Sequence, residues 1–155
     1  MCVISVRRGR LTNEIMPISV EHSKTKDDDE EEYTVEHAID LNLGSRSGTT
    51  IGSDGMIWLK VTLGKTSCIQ QVIKYMSDGT HYRTWTCTSS DCSTCEGPKC
   101  SDYLLTTSIE KTWSDSLPLV ADCKYGDTVK LQKNTGSYFE VYEIAITGKQ
   151  GETRY

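Results

Sequence analysis

The chain has no run of about 18 apolar residues, so nothing in it reads as a membrane-spanning helix and no membrane insertion is expected. It has no basic excess either. Its 17 lysines and arginines stand against 22 aspartates and glutamates, for a net charge of -5, and no Lys/Arg cluster is interleaved with aromatics. That balance argues against nucleic acid as a partner. The three histidines, His22, His37 and His81, lie near no Gly-x-Ser-x-Gly elbow, and there is no His-Glu-x-x-His pattern or phosphate-binding glycine loop. A nucleophile without a base and an orienting partner is inert, so no enzyme is expected. Glu140 and Glu143 fall on opposite faces of one strand and do not form an acid and base pair. No segment of ten or more residues keeps a 3.6-residue apolar period, which excludes a helical bundle.

What the chain does have is cysteine. Four of its seven cysteines, Cys87, Cys92, Cys95 and Cys100, fall within fourteen residues. A loop so short and polar takes its order from covalent bonds or a metal, and disulfides imply an oxidising compartment. The spacing allows three disulfide pairings. Four thiolates also suffice for zinc, but zinc sites usually draw two Cys-x2-Cys pairs from separate hairpins; here one such pair is flanked by four-residue gaps. Disulfides are therefore favoured. Cys68 opens a strand and Cys123 precedes another, so we expect these two to bridge. Cys2 is left over. The first ten residues place their charges after a short apolar piece and do not read as a secretory signal. A secreted domain would then be a fragment, a mature form or one exported by another route.

Residues 1–32 show no periodicity and end in the acidic run Asp27-Asp28-Asp29-Glu30-Glu31-Glu32, so a flexible tail is expected there, with a recognition domain over residues 33–150. From Tyr33 onward, short apolar-polar alternations are separated by Gly, Ser, Asp and Thr clusters, as in antiparallel sheets with one buried face. Strands are expected over residues 56–63, 69–76, 82–88, 103–111, 128–133 and 138–147. In the first, Ile57, Leu59, Val61 and Leu63 share one face and Trp58, Lys60 and Thr62 the other. The fold class is all-β, an antiparallel sandwich or jelly roll. Trp58, Trp85 and Trp113 could stack on a sugar, although burial in the sheet is the commoner fate of tryptophan.

Three pieces line up with a known pattern. Ala38-Ile39-Asp40-Leu41-Asn42 resembles the Ala-x-Asp-Gly-Asn turn of fucolectin-type and discoidin-like domains, which have the galactose-binding-like jelly-roll fold. Trp58-Leu59-Lys60-Val61-Thr62-Leu63 with Val72-Ile73 is similar to their Trp-x-x-Val-Asp-Leu strand and the Val-x-Ile strand that follows. Cys123 to Leu131 and Val141 to Gly148 resemble their two closing strands, so the likeness spans about residues 35 to 148 in the right order.

The resemblance implies calcium beneath the binding loops, held by residues matching Asp40, Asn42 and Glu143, and it implies a glycan as ligand. The carboxylate and carbonyl oxygens of such a turn are chemically suited to calcium. The arginine expected after the Val-x-Ile strand is missing from Tyr75-Met76-Ser77-Asp78-Gly79-Thr80. The nearby His81, Tyr82 and Arg83 are the candidate donors to a sugar or carboxylate. The expected function is a secreted, non-catalytic recognition or adhesion module that binds a glycan, or alternatively an extracellular protein. An intracellular zinc-stapled β domain is the third reading.

Overall fold

The computed structural model describes residues 7–76, 82–88, 92, 101–109, 111–117, 123–133 and 136–151. They form nine strands: β1 (Glu14–Ile15), β2 (Ser19–His22), β3 (Ser47–Thr50), β4 (Ile57–Met76), β5 (Tyr82–Cys87), β6 (Leu104–Ile109), β7 (Thr112–Ser116), β8 (Lys124–Lys133) and β9 (Tyr138–Gln150). Every pairing among them is antiparallel.

Two expected strands, over 56–63 and 69–76, are one. β4 runs straight through its Gly64, which adopts a φ of 80°, a conformation that a residue without Cβ takes at little cost. There the register with β8 shifts, between Thr62 and Ser67. The first half of β4 pairs with β2 and β8, and the second half with β7 and β9. One continuous hydrogen-bonded network is thereby folded into the two layers of a sandwich. Leu59, Val61 and Leu63 from the first half pack in the same core as Ile69, Val72 and Met76 from the second, with Val129 and Leu131 of β8 and Val141, Ile144 and Ile146 of β9. Period-2 alternation delivers Leu59, Val61, Leu63, Val129 and Leu131 inward, and the register irregularities after Ile69 on β4 and at Tyr142 on β9 reset the phase for Val72 and for Ile144 and Ile146.

A boundary drawn at residue 32 does not match the structure. Ile15 and Val20, 2% and 8% exposed, belong to the core; β1 pairs with β9 and β2 with β4. Strands of two and four residues are too short to display alternation, which is why the sequence read as a tail. The acidic run is also built in. Asp29 accepts the Glu32 backbone N–H at 3.1 Å as the cap of a single helical turn, α1 (Glu30–Tyr33), and Glu32 pairs with Arg46 at 2.6 Å. β7 was not expected because Thr-Trp-Ser-Asp-Ser reads as polar loop. Its Asp115 instead faces inward, forming a buried ion pair with Lys74 at 2.7 Å and accepting the Thr84 hydroxyl at 2.8 Å.

Cys68 and Cys123 are bridged as expected, joining the middle of β4 to the start of β8. Cys87 and Cys92 form a second disulfide, which removes two of the four thiols that a zinc centre would need. Cys2, Cys95 and Cys100 lie outside the described residues.

Candidate functional site

The turn at residues 40–46 and Glu143 do come together, but around an arginine. Glu143 is fully buried in β9 and accepts the Leu41 backbone N–H at 3.2 Å through one oxygen. Its other oxygen accepts Arg8 Nε–H at 2.8 Å. The same guanidinium donates two further bonds to Glu14, at 2.6 and 2.9 Å, in the forked geometry that suits a carboxylate. The Arg8 backbone N–H reaches the Leu41 carbonyl at 3.0 Å. These bonds hold Leu41 at a φ of 63°, where a glycine would sit more easily.

The remaining oxygens of the turn are also engaged. Asp40 accepts the Asn42 N–H at 2.9 Å and the Ser45 hydroxyl at 2.6 Å, and Asn42 accepts the Gly44 N–H at 2.9 Å. A guanidinium at hydrogen-bond distance from Glu143 stands where a divalent cation would have to approach, so this donor set fits Arg8 and does not fit calcium. Burial pushes the Glu143 carboxyl up to about 7 against the opposing pull of Arg8. Glu14 moves the other way: against burial, the hydrogen bonds from Arg8 hold it below its ordinary value.

Next to this turn, at the C-terminal end of β4, lies an open cavity of about 590 Å³ lined by Leu43, Tyr75, Lys111, Thr112 and Tyr142. Register assembles it. Tyr75 stands opposite Thr112 on one side and Glu143 on the other, while an irregularity between Tyr75 and Met76 leaves Tyr142 as the extra residue of β9. The Lys111 ammonium sits 5.5 Å from the centre of the Tyr142 ring. Two half-buried phenols, a cation and a hydroxyl around an apolar floor are the groups that recognise a polyhydroxylated ring: the aromatic faces take its C–H surface and the polar tips its hydroxyls.

The expected ligand cluster lies elsewhere. His81 is outside the described residues. Tyr82 and Arg83 open β5 opposite Lys133 and Gln132 of β8, which lead to the beginning of β4, whereas the cavity lies at its end. Tyr75 and Tyr142 were missed because they are far apart in sequence and only strand register joins them.

No protein-family model and no curated protein matches the chain. Solved structures do match. Chitosan-binding module 1 derived from a chitosanase/glucanase of Paenibacillus sp. IK-5 superposes with a TM-score of 0.63 at 15% identity, over 86% of this chain and 97% of that one. A fucose binding module of Streptococcus pneumoniae gives 0.62 at 15% identity, over 88% and 98%. The lectin domain of lectinolysin complexed with Lewis B antigen gives 0.61 at 16% identity, over 84% and 92%. The chain therefore has the galactose-binding-like jelly-roll fold of carbohydrate-binding modules and lectin domains, as its strand order led us to expect.

Proposed function

We propose that the chain is a non-catalytic carbohydrate-binding module whose ligand enters the cavity between Tyr75, Tyr142, Lys111, Thr112 and Leu43. The observation that carries this reading is the convergence of two tyrosines and a lysine on one open cavity of about 590 Å³, in a fold whose neighbours include binders of chitosan, fucose and Lewis B antigen. A non-enzymatic role is supported by how the described histidines are used. His22 bonds the hydroxyls of Thr49 and Thr25, and His37 bonds the backbone carbonyls of Glu32 and Arg46, so both rings tie neighbouring segments of the chain together. Two disulfides support an extracellular setting.

A glycan array probed with the wild type and with Tyr142→Ala and Lys111→Ala tests the reading. At least one class of glycan should be retained by the wild type, and each substitution should weaken it about tenfold, as loss of a stacking face or a charged hydrogen bond does. Glycan retention that neither substitution touches would move the site elsewhere.

A second reading, a protein-interaction domain, is favoured by β6. It pairs with β7 alone among the described strands, and Leu104, Leu105 and Ile109 are 55%, 43% and 66% exposed along it. An open apolar edge of this kind is a template for another strand. Sedimentation at increasing concentration, with and without Ile109→Lys, would register self-association there.

A further inference from the structure

The outer face of the sheet formed by the first half of β4 with β8 and β5 carries side chains that the loop-end cavity does not use. Lys60 and Lys130 are register partners on β4 and β8, and Trp85 of β5 is the partner of Lys130 on its other side. The Lys130 ammonium lies 5.3 Å from the centre of the Trp58 ring and 5.3 Å from that of Trp85. Lys60 lies 5.0 Å from the Trp58 ring. Two cations are thus set side by side among two indoles.

Like charges directly across an antiparallel pair are destabilising, and Lys130 is only 5% exposed. Among the described residues it forms no ion pair. Asp54, the acid nearest in chain to Trp58, accepts the Trp58 indole N–H at 3.3 Å and the Met56 backbone N–H at 3.0 Å. Glu21, the register partner of Lys60 on β2, is solvent-exposed. Burial, together with the charge of Lys60, pushes the pKa of Lys130 down against the opposing pull of Asp54, which is the response of a buried cation whose counter-charge is too weak to offset its burial. Rings over both lysines offset part of the cost, but among the described residues neither ammonium has a carboxylate at ion-pair distance.

An anion bridging the two ammonium groups would complete this arrangement. Trp58 is half-exposed and offers a flat apolar face beside the charges, which a bare phosphate or sulfate ion would not use. A pyranose ring would. The net charge of -5 repels a polyanion at long range, so binding here rests on short-range contacts. We propose that this face, centred on Lys60, Lys130, Trp58 and Trp85, is a second binding site, for an acidic saccharide whose carboxylate or sulfate group meets the two lysines while a sugar ring stacks on indole.

The test is calorimetry and tryptophan emission on the whole chain, titrated with oligogalacturonate and with heparin oligosaccharide, and with cellohexaose and oligo-dT as the neutral and non-saccharide controls. At least one acidic sugar should bind and change the emission, the one preferred distinguishing carboxylate from sulfate. Its affinity should fall about tenfold in Lys60→Ala and in Trp58→Ala, fall with added salt, and stay unchanged in Tyr142→Ala. Lys130→Met should show the same loss; if it fails to fold, the half-buried Lys60 carries the test. Absence of binding by both acidic sugars at millimolar concentration would overturn the proposal. So would equal binding of cellohexaose or oligo-dT, or affinity that survives both Lys60→Ala and Trp58→Ala. Because the loop-end variant is expected to be silent here, failure of this site leaves the carbohydrate-binding reading of the cavity standing, and the reverse.

Discussion

Two charged clusters of this domain differ in one respect. Around Arg8, a guanidinium with 6% of its side chain exposed faces two carboxylates, Glu14 and Glu143, which are 1% and 0% exposed; three nitrogen-to-oxygen bonds of 2.6 to 2.9 Å join them. Around Lys130, an almost equally buried ammonium faces another lysine and two indole rings. The first cluster is complete within the chain and pins the N-terminal segment and the turn at residues 40–46 onto β9. The second has no carboxylate at ion-pair distance among the described residues, and the pull of Asp54 on Lys130 is outweighed by burial and by Lys60. The contrast separates a charge kept for folding from a charge left open to a ligand, because an ion buried without its partner costs several kcal/mol and is retained only where something else satisfies it.

The strongest way to break the comparison is to open the closed cluster. Arg8→Ala should destabilise the domain by about 3 to 5 kcal/mol in urea unfolding, since it strands two buried carboxylates; a loss under about 1 kcal/mol would mean that the cluster is solvated and no different from the lysine face. The next effect is on pH. The folded-state value of Glu143 is raised to about 7 from an ordinary 4.5, so its contribution is fully present below pH 4.5 and is lost as pH rises through 7. Wild-type stability relative to Glu143→Gln should therefore fall by on the order of 2 kcal/mol between pH 5 and pH 8. Glu14 is shifted the opposite way; its contribution is present above pH 4.5 and is lost on acidification, so Glu14→Gln should remove a loss of stability below that pH.

Smaller effects sharpen the other half. Lys60→Glu places a carboxylate opposite Lys130 on one side and opposite Glu21 on the other, so gain and loss should largely cancel and stability should change by less than about 0.5 kcal/mol in a denaturant melt. Least of all should calcium matter. With the oxygens of Asp40, Asn42 and Glu143 already engaged, addition of calcium or of chelator should leave the melting temperature unchanged within error, and a rise of several degrees with calcium would show that Arg8 yields its place.

Much of the fold was legible because it rests on local alternation. The inward face of the first half of β4 and the turn at Asp40 follow from neighbouring residues, and the Cys68 to Cys123 bridge was expected from cysteines read at the starts of two strands, although Cys68 lies in the middle of β4. What was not legible depends on partners remote in sequence. Arg8 meets Glu143 across 135 positions, and nothing near Arg8 announces that a carboxylate awaits it. Ile15 and Val20 are core residues in strands too short to show a period. Asp115 reads as loop chemistry until Lys74 is placed beside it. The candidate cavity is of the same kind: Leu43, Tyr75, Lys111 and Tyr142 come from four separate stretches, and only the antiparallel register gathers them. Trp58, Lys60 and Thr62 were correctly read as one face, yet that this face continues into Lys130 and Trp85 required the pairing of β8 with both its neighbours.

The most direct test of the account is a heteronuclear NMR titration of the isotope-labelled chain with the glycan that the array selects. Perturbed amides are predicted to cluster at residues 43, 75, 111, 112 and 142. Perturbations confined to the exposed β6 edge, or scattered without reference to this cavity, would contradict it.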